Sequence, residues 1–515
     1  MAMSKAQRWL VLATVSAGLL LISVDMTVLY TALPTLTADL GADASEKLWI
    51  INAYPLVMAG LLLGAGTLGD RIGHKRMFLT GLTVFGAASV AAALAPSPAA
   101  LIGARAFLAV GAAAMMPATL ALIRVTFDDA RERAIAIGVW GTMAVVGTAL
   151  GPIVGGLLLE HFWWGSVFLV NVPVVVLGLA AAAVFAPGGR GRPDRPWDAL
   201  ASLQVMVGLV GLVYAIKETV KPDPSPWHGA VALLVSAAGF WAFARRQRGR
   251  PYPLIDFSLF RSRRLLAGVL AAGLAMFATA GLQLVLAQRL QLVLELTPLH
   301  AGLLVAAFAL GALPAGVFAG SVVHRTGVRP LIGGGLLVGA LGVLASLLMT
   351  PGALGPVGED AGPAWIVPGL VVTGAGLDVV MTAASIAILG GAPPHRAGMA
   401  SSVEEVSYEL GNLTGVAVLG SLLTAVYGAT VTLPGDTPAP AGDSLDEARA
   451  AAASLPDEQA RGLLDSATAA FDNGYVLTLV LVTVLLTAGG LAVFRFLARE
   501  RPADTAQEAQ AAHPA

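Results

Sequence analysis

Six ionisable residues lie within long apolar stretches of the sequence, where a charge is costly. They are the acids Asp25, Asp378, Glu404, Glu405 and Glu409 and the base Arg105. Even on a lenient scale, one such charge at the centre of a membrane helix costs roughly 2.5–3.5 kcal/mol. Each side chain must therefore face a water-filled cavity, pair with another polar group or stay protonated.

The spacing of three of these acids indicates a site for a proton or another cation. Residues four apart share a helix face, so Glu405 and Glu409 lie together, whereas Glu404 lies about a quarter-turn away. Crowded carboxylates in an apolar environment cannot all be ionised at once. We expect such a cluster to bind a proton and a cationic ligand alternately, but not both at the same time.

Each candidate also has a purely structural interpretation. Asp25 and Asp378 could bond neighbouring helices, and Glu404 could be solvated at the membrane surface. Arg105 could pair with an acid as a coupling switch or only join helices. Aromatic side chains in the same stretches could stack on a flat organic cation. The aromatic candidates are Tyr30, Tyr54, Trp140 and Tyr408, together with Phe277 and Phe308.

The composition indicates that the solvent of this chain is the lipid bilayer. Of 515 residues, 57% are hydrophobic and 12% are charged, whereas soluble proteins carry roughly 25% charged residues. This argues against a soluble enzyme, a nucleic-acid-binding protein and a disordered scaffold. Cysteine is absent, and no spacing suggests a metal or nucleotide site, so we expect no catalytic residues, metal or cofactor.

Fourteen apolar stretches of about 20 residues predict transmembrane helices. Of the 31 Lys and Arg residues, 24 then lie on the side of the two termini and 6 on the other. The positive-inside rule places both termini on the cytoplasmic side of a bacterial inner membrane. The stretches are 9–31, 48–69, 77–95, 100–123, 134–158, 164–186, 199–217, 228–244, 265–289, 299–322, 329–350, 364–391, 399–428 and 475–497.

The longest predicted connection, residues 429–474, lies on the side opposite the termini. It contains eight acidic residues and two arginines, and its segment from Ser444 to Ala470 could form one or two surface helices. Two interpretations remain open: a solvated connector, or an extracellular cap that attracts or gates cationic solutes.

The turn after the second stretch has glycines that permit a tight turn and charges that could form a latch. It contains Gly66, Asp70, Arg71, Gly73, Lys75 and Arg76. This pattern resembles the cytoplasmic motif between helices 2 and 3 of the major facilitator superfamily. A weaker copy, residues 320–329, has His324 in place of the acid.

Other segments are similar to the fourteen-helix drug/proton antiporters of that superfamily. Asp25-Met26-Thr27 resembles their helix 1 motif, and residues 404–412 resemble their helix 13 motif. In the fifth stretch, small residues and a proline resemble the antiporter motif of exporters. They could form a hinge and seal, or they could only allow tight helix packing. These residues are Gly147, Gly151, Pro152, Gly155 and Gly156.

The resemblance implies an all-α integral membrane fold with fourteen transmembrane helices. Two pseudo-symmetric six-helix bundles, residues 1–188 and 262–498, would flank a linker, 189–261, with two additional helices. A cytoplasmic tail, 499–515, would follow.

The function that the resemblance implies is proton-coupled multidrug efflux of lipophilic cations, such as quaternary ammonium compounds, dyes and biocides. The helix 1 acid and the acids of helix 13 would act in substrate recognition and proton coupling. The expected partners are these cations, protons and lipid, not nucleic acid, with a monomer as the default. The alternatives are an exporter of a single antibiotic or metabolite and a non-transporting membrane sensor.

Overall fold

A computed structural model describes most of the chain. The described residues are 4–188, 191, 197–218, 225–248, 250, 253–350, 363–392, 397–433 and 439–497. Within them, helices are the only regular secondary structure. The predicted tail, residues 499–515, lies outside the described residues.

The helices confirm an all-α membrane fold. Thirteen helical spans are long and apolar enough to cross a bilayer, and α2, bent by 58° between Ala44–Leu62 and Gly64–Ile72, is a fourteenth if it counts as one span. The helices are α1 (Lys5–Leu40), α2 (Ala44–Ile72), α3 (His74–Ala93), α4 (Pro98–Thr126), α5 (Ala130–His161), α6 (Ser166–Leu169), α7 (Asn171–Phe185), α8 (Ala199–Glu218), α9 (Pro226–Arg248), α10 (Arg263–Gln288), α11 (Pro298–Thr326), α12 (Val328–Leu348), α13 (Val367–Gly390), α14 (Ala397–Thr430), α15 (Leu445–Ala452) and α16 (Asp457–Leu497).

The helices pack into two sets, each with an apolar core, and the core of the first set extends onto α10 and α11 of the second. In the first set, α1 packs on α4, α5 and α7, and α3 on α4. In the second set, α13 packs on α10, α11 and α12, and α16 on α12 and α14. Helices α8 and α9 pair with each other, and α8 lies on α2, where Val205 and Leu209 join Leu56 and Ala59 in a small core.

Successive spans run in opposite directions, so each connection between spans lies at one of the two ends of the molecule. Lys5 and Leu497 lie at one end, called here the terminal end, together with the turn at Gly73. The opposite end carries α15 and is called the α15 end.

The last helix is longer than the sequence predicts. Helix α16 begins at Asp457, whereas the apolar stretch predicts a start at residue 475. The prediction of this boundary is wrong because counting apolar residues finds only the lipid-embedded part. The preceding residues are rich in alanine, leucine and other good helix formers, so the helix extends beyond that part. The prediction of one or two helices between Ser444 and Ala470 is confirmed by α15 and the start of α16.

Candidate functional site

The only basic residue predicted inside a span forms a buried ion pair. The Arg105 Nη1 of α4 lies 2.7 Å from the Asp25 Oδ2 of α1, and the two side chains are 2% and 0% exposed. The Arg105 Nε also donates to the Ile50 carbonyl of α2 at 3.3 Å. The guanidinium lies 4.8 Å from the ring centre of Tyr54. Three helices of the first set are thus joined around one compensated charge.

Asp25 has a second partner that the sequence analysis did not single out. Asn171, the first residue of α7, donates from Nδ2 to the Asp25 Oδ1 at 3.0 Å and to the Ser89 hydroxyl at 3.3 Å. An amide inside an apolar stretch was the only available signal. Both oxygens of Asp25 are therefore bonded, and in this conformation the carboxylate is closed to a substrate.

Glu409 lies on α14 of the second set but is associated with tyrosines of the first. It is 5% exposed, and its Oε2 has no hydrogen-bond partner among the described residues. Its charge acts on the hydroxyls of Tyr30 and Tyr54. One turn further along α14, the Asn412 Oδ1 accepts a hydrogen bond from the Tyr30 hydroxyl at 3.1 Å. We call Asp25, Arg105, Glu409, Tyr30 and Tyr54 the buried group.

The other three acids lie around Tyr408, and we call these four residues the open group. The Tyr408 hydroxyl donates to the Glu404 Oε1 at 2.5 Å, and the charges of Glu404, Glu405 and Asp378 all act on this tyrosine. Asp378, Glu405 and Tyr408 are only half-buried. Across the described residues, none of these acids has a basic side chain within ion-pair distance. The acids of the open group therefore have no basic partner in the part of the chain that the structure describes.

Asp378 lies directly against the backbone of α11. A Cβ added at Gly316 would lie 2.0 Å from the Asp378 Oδ2 and 3.3 Å from the Thr382 Oγ1. Only glycine leaves this space for the carboxylate. Gly316 was not among the residues singled out from the sequence, because glycines are common in every span.

The five acids thus differ in their surroundings: Asp25 is compensated by Arg105, Glu409 is buried without a basic partner among the described residues, and the acids of the open group are uncompensated and partly exposed. The remaining aromatic candidates are placed differently. The Trp140 Nε1 donates to the Thr119 hydroxyl of α4 at 3.1 Å. Phe277 and Phe308 pack against the core of the second set.

The glycine-rich stretch of α5 packs closely on two other helices. A Cβ at Gly151 would lie 1.9 Å from the Thr27 Oγ1 of α1, and one at Gly156 would lie 2.4 Å from the Leu299 Cα of α11. Gly147 and Gly155 likewise contact α1, and on α11 a Cβ at Gly302 would lie 2.1 Å from the Pro152 carbonyl oxygen. Tight packing is therefore a fact of this structure, and the hinge remains a prediction.

The predicted latch lies at the terminal end, where α2 ends and α3 begins. Gly73 has a φ of 96°, and Asp70 Oδ1 lies 3.5 Å from His74 Nε2. The Lys75 ammonium donates to the carbonyls of Ala183 and Ala186 at 2.8 and 2.9 Å, where the end of α7 favours a cation. Gly66 lies in the last turns of α2, and the side chains of Arg71 and Arg76 are exposed.

Comparison with known families gives a match over most of the chain. The sequence profile of the Major Facilitator Superfamily matches residues 15–416. The protein belongs to the Major Facilitator Superfamily. The predicted family is thereby confirmed, and transport, rather than enzymatic chemistry, is the activity that this family indicates.

The relatives of this superfamily member include drug resistance proteins. The methyl viologen resistance protein SmvA of Salmonella typhimurium is 39% identical over 470 residues, 90% of this chain and 93% of that one. The multidrug efflux pump LfrA of Mycolicibacterium smegmatis is 38% identical over 489 residues, 94% and 95% of the two chains. The tetracenomycin C resistance and export protein of Streptomyces glaucescens is 31% identical over 510 residues, 95% and 92%. Drug efflux is thus the class of transport to which the similarity points.

A solved structure supports the same fold for this superfamily member. It is a bacterial homologue of the human lysosomal transporter Spinster in an inward-facing, unoccupied conformation. The TM-score is 0.68 at 18% identity, and the match covers 97% of this chain and 100% of that one.

In this superfamily member, the two sets of helices are joined near the α15 end. The Gln291 Nε2 donates to the Thr31 carbonyl at 2.9 Å, and the Thr297 hydroxyl donates to the Glu160 Oε1 at 2.9 Å. The molecule is thus fastened at the α15 end.

Residues 439–456, which we call the strap, strengthen this fastening. Asp446 of the strap pairs with Lys47 of α2, with Oδ2 and Nζ 2.5 Å apart, and Arg449 pairs with Glu295 at 2.6 Å. Burial, followed by the carboxylates of Asp443, Asp43 and Asp446, raises the pKa of Glu447 to about 7. The strap therefore carries a group that titrates near neutral pH.

Proposed function

We propose that the protein is a proton-coupled antiporter that exports lipophilic cations, such as quaternary ammonium compounds, dyes and biocides, from the bacterial cytoplasm. The observation that carries the proposal is the open group, because its three acids have no basic partner among the described residues. A site of this charge favours cations over anions. The names of SmvA and LfrA, which refer to methyl viologen resistance and multidrug efflux, support the same class.

The proposed cycle uses the two ends of the molecule in turn. With both termini in the cytoplasm, the joined α15 end would be the outer side, and the cavity would open to the cytoplasm at the terminal end. A lipophilic cation enters and binds the ionised carboxylates of the open group, with Tyr408 as an aromatic contact. When the cavity opens outward, protons replace the cation. The site, now neutral, then turns back to face the cytoplasm. The protein would work as a monomer in the inner membrane.

Transport of ethidium into proteoliposomes tests the proposal. Under an acidic interior, with the membrane potential clamped by potassium and valinomycin, the wild type should accumulate the dye. Nigericin, which collapses the pH gradient, should abolish accumulation. Asp378→Asn and Glu405→Gln should each reduce it at least tenfold, whereas Asp457→Asn, which changes an exposed acid at the start of α16, should not. Dye flux that ignores nigericin would rule out proton coupling.

Gly316→Ala probes the same site without changing its charge. Because the added Cβ would lie 2.0 Å from the Asp378 Oδ2, the carboxylate must move, and we expect weaker dye binding by the purified protein. Gly320→Ala is the matched control, since its Cβ would meet only Thr382 Cγ2 at 3.9 Å. Equal dye affinities of the two variants would show that Asp378 does not contribute to the binding site.

A dedicated exporter of one antibiotic is a second candidate, favoured by the tetracenomycin C relative. The two candidates differ in breadth of substrate. An antiporter of lipophilic cations should move several unrelated cationic dyes, whereas a dedicated exporter should move none of them or one. A non-transporting sensor would bind dyes but show no flux in the same liposomes.

A further inference from the structure

Glu409 is the acid that extends from one set of helices into the other. Its side chain belongs to α14, yet its charge acts on Tyr30 of α1 and Tyr54 of α2. Its Oε2 and the Tyr54 hydroxyl are both buried, and neither has a hydrogen-bond partner among the described residues. A buried carboxylate oxygen left without a donor is costly, so this arrangement suits the protonated acid better than the ionised one.

The Tyr30 hydroxyl is bonded to α14 one turn beyond Glu409. It now donates to the Asn412 Oδ1 at 3.1 Å. Glu409 and Asn412 are three residues apart and therefore neighbours on one helix face, with Cβ atoms about 5–6 Å apart. The carboxylate of Glu409 is therefore the acceptor next to the Asn412 amide along this face of α14.

We propose that Tyr30 and Asn412 are positioning residues that transmit the protonation of Glu409 to the contact between the two sets of helices. When Glu409 is protonated, Tyr30 donates to Asn412, as in this structure. When Glu409 is ionised, Tyr30 donates to its carboxylate, because a bond to a charged acceptor is stronger. Loss or gain of one proton thus changes how α1 is held against α14. This inference rests on the proposed proton-coupled function.

The other ionisable groups around Glu409 do not offer it a cation. Arg105 is already paired with Asp25, and Glu405 on α14 adds like charge. Asp378 of α13 acts on Tyr408 instead. Helices α8 and α10 carry their charged side chains at their ends, and Asp472 of α16 is paired with Arg289. The tyrosine hydroxyls are therefore the donors available to the ionised carboxylate.

The pH dependence of ethidium transport tests the inference. Tyr30→Phe removes a donor that favours ionised Glu409 more than the protonated form, so the midpoint of the transport–pH profile should rise by about one unit. Asn412→Leu removes the acceptor used only with protonated Glu409, so the midpoint should fall by about half a unit. Tyr427→Phe is the matched control, because that buried hydroxyl donates to the Ala441 carbonyl of the strap at 3.0 Å. It should leave the midpoint unchanged.

Shifts in opposite directions would support the inference, since loss of packing alone would not produce them. Shifts in the same direction, or unchanged midpoints in well-folded variants, would overturn it. If Tyr30→Phe fails to fold, a midpoint that falls in Asn412→Leu supports the inference, and one that stays or rises overturns it. Failure of the proposed function is a separate result, because wild-type dye flux would then not respond to the pH gradient at all.

Discussion

Replacing Asp25 with Asn should destabilise the protein far more than replacing any acid of the open group. The change removes the anion 2.7 Å from Arg105 and leaves a guanidinium that, among the described residues, contacts the Ile50 carbonyl and the Tyr54 ring. Asn171 would also lose its bond to a charged acceptor.

The expected magnitude follows from the burial of the pair. With side chains 2% and 0% exposed, Arg105 and Asp25 are not a surface pair, for which the value would be about 0–1 kcal/mol. Loss of one partner of a buried pair costs about 3–5 kcal/mol, because the other charge stays buried and uncompensated. Combining Asp25→Asn with Arg105→Gln removes that charge as well, and the double variant should recover about 2–3 kcal/mol.

The assay is unfolding in mixed micelles by increasing dodecyl sulfate, followed by tryptophan fluorescence. Asp378→Asn is the matched control: it makes the same chemical change, but no ion partner is lost within the described structure. Its free energy of unfolding should stay within about 1 kcal/mol of wild type. The reasoning is refuted if Asp25→Asn costs no more than Asp378→Asn, or if the double variant is less stable than Asp25→Asn.

Three further predictions concern the two ends of the molecule. Gly302→Ala, whose Cβ would lie 2.1 Å from a carbonyl oxygen of α5, should lower the yield of folded protein and dye transport, whereas Gly141→Ala, facing open space, should not. Since the pKa of Glu447 is raised to about 7, raising the pH from about 6 to about 8 adds a negative charge to the strap and weakens its docking. Hydrogen exchange in the strap should therefore accelerate, and Glu447→Gln should remove most of this response. The chain has no cysteine, so a membrane-impermeant maleimide should label Gly462→Cys in intact cells and Ser4→Cys only after permeabilisation; the reverse result would invert the proposed orientation.

The sequence predicted the spans well because hydrophobic length is a local property. The two additional helices predicted in the linker are present as α8 and α9. The boundary of α16 was missed because helix-forming residues outside the lipid carry no apolar signal. The length of an apolar stretch therefore locates the apolar part of a helix rather than its ends.

The candidate acids were visible in the sequence as isolated charges in apolar stretches, but their grouping was not. Whether Glu409 lies with Glu405 or with Tyr30 depends on how α14 packs against α1 and α2, which is a tertiary property. The partners Asn171 and Gly316 were missed for the same reason. An amide or a glycine acquires its role only when another helix lies against it.

The length of α16 has a mechanical consequence. At 1.5 Å per residue, a 41-residue helix is about 60 Å long, about twice the thickness of the hydrocarbon layer. Because α15 packs on α16, the strap would move together with α16 and the second set of helices. Any rocking of that set would be magnified at the tip of α16, so the bond between Lys47 and Asp446 would be among the first to break if the α15 end opens.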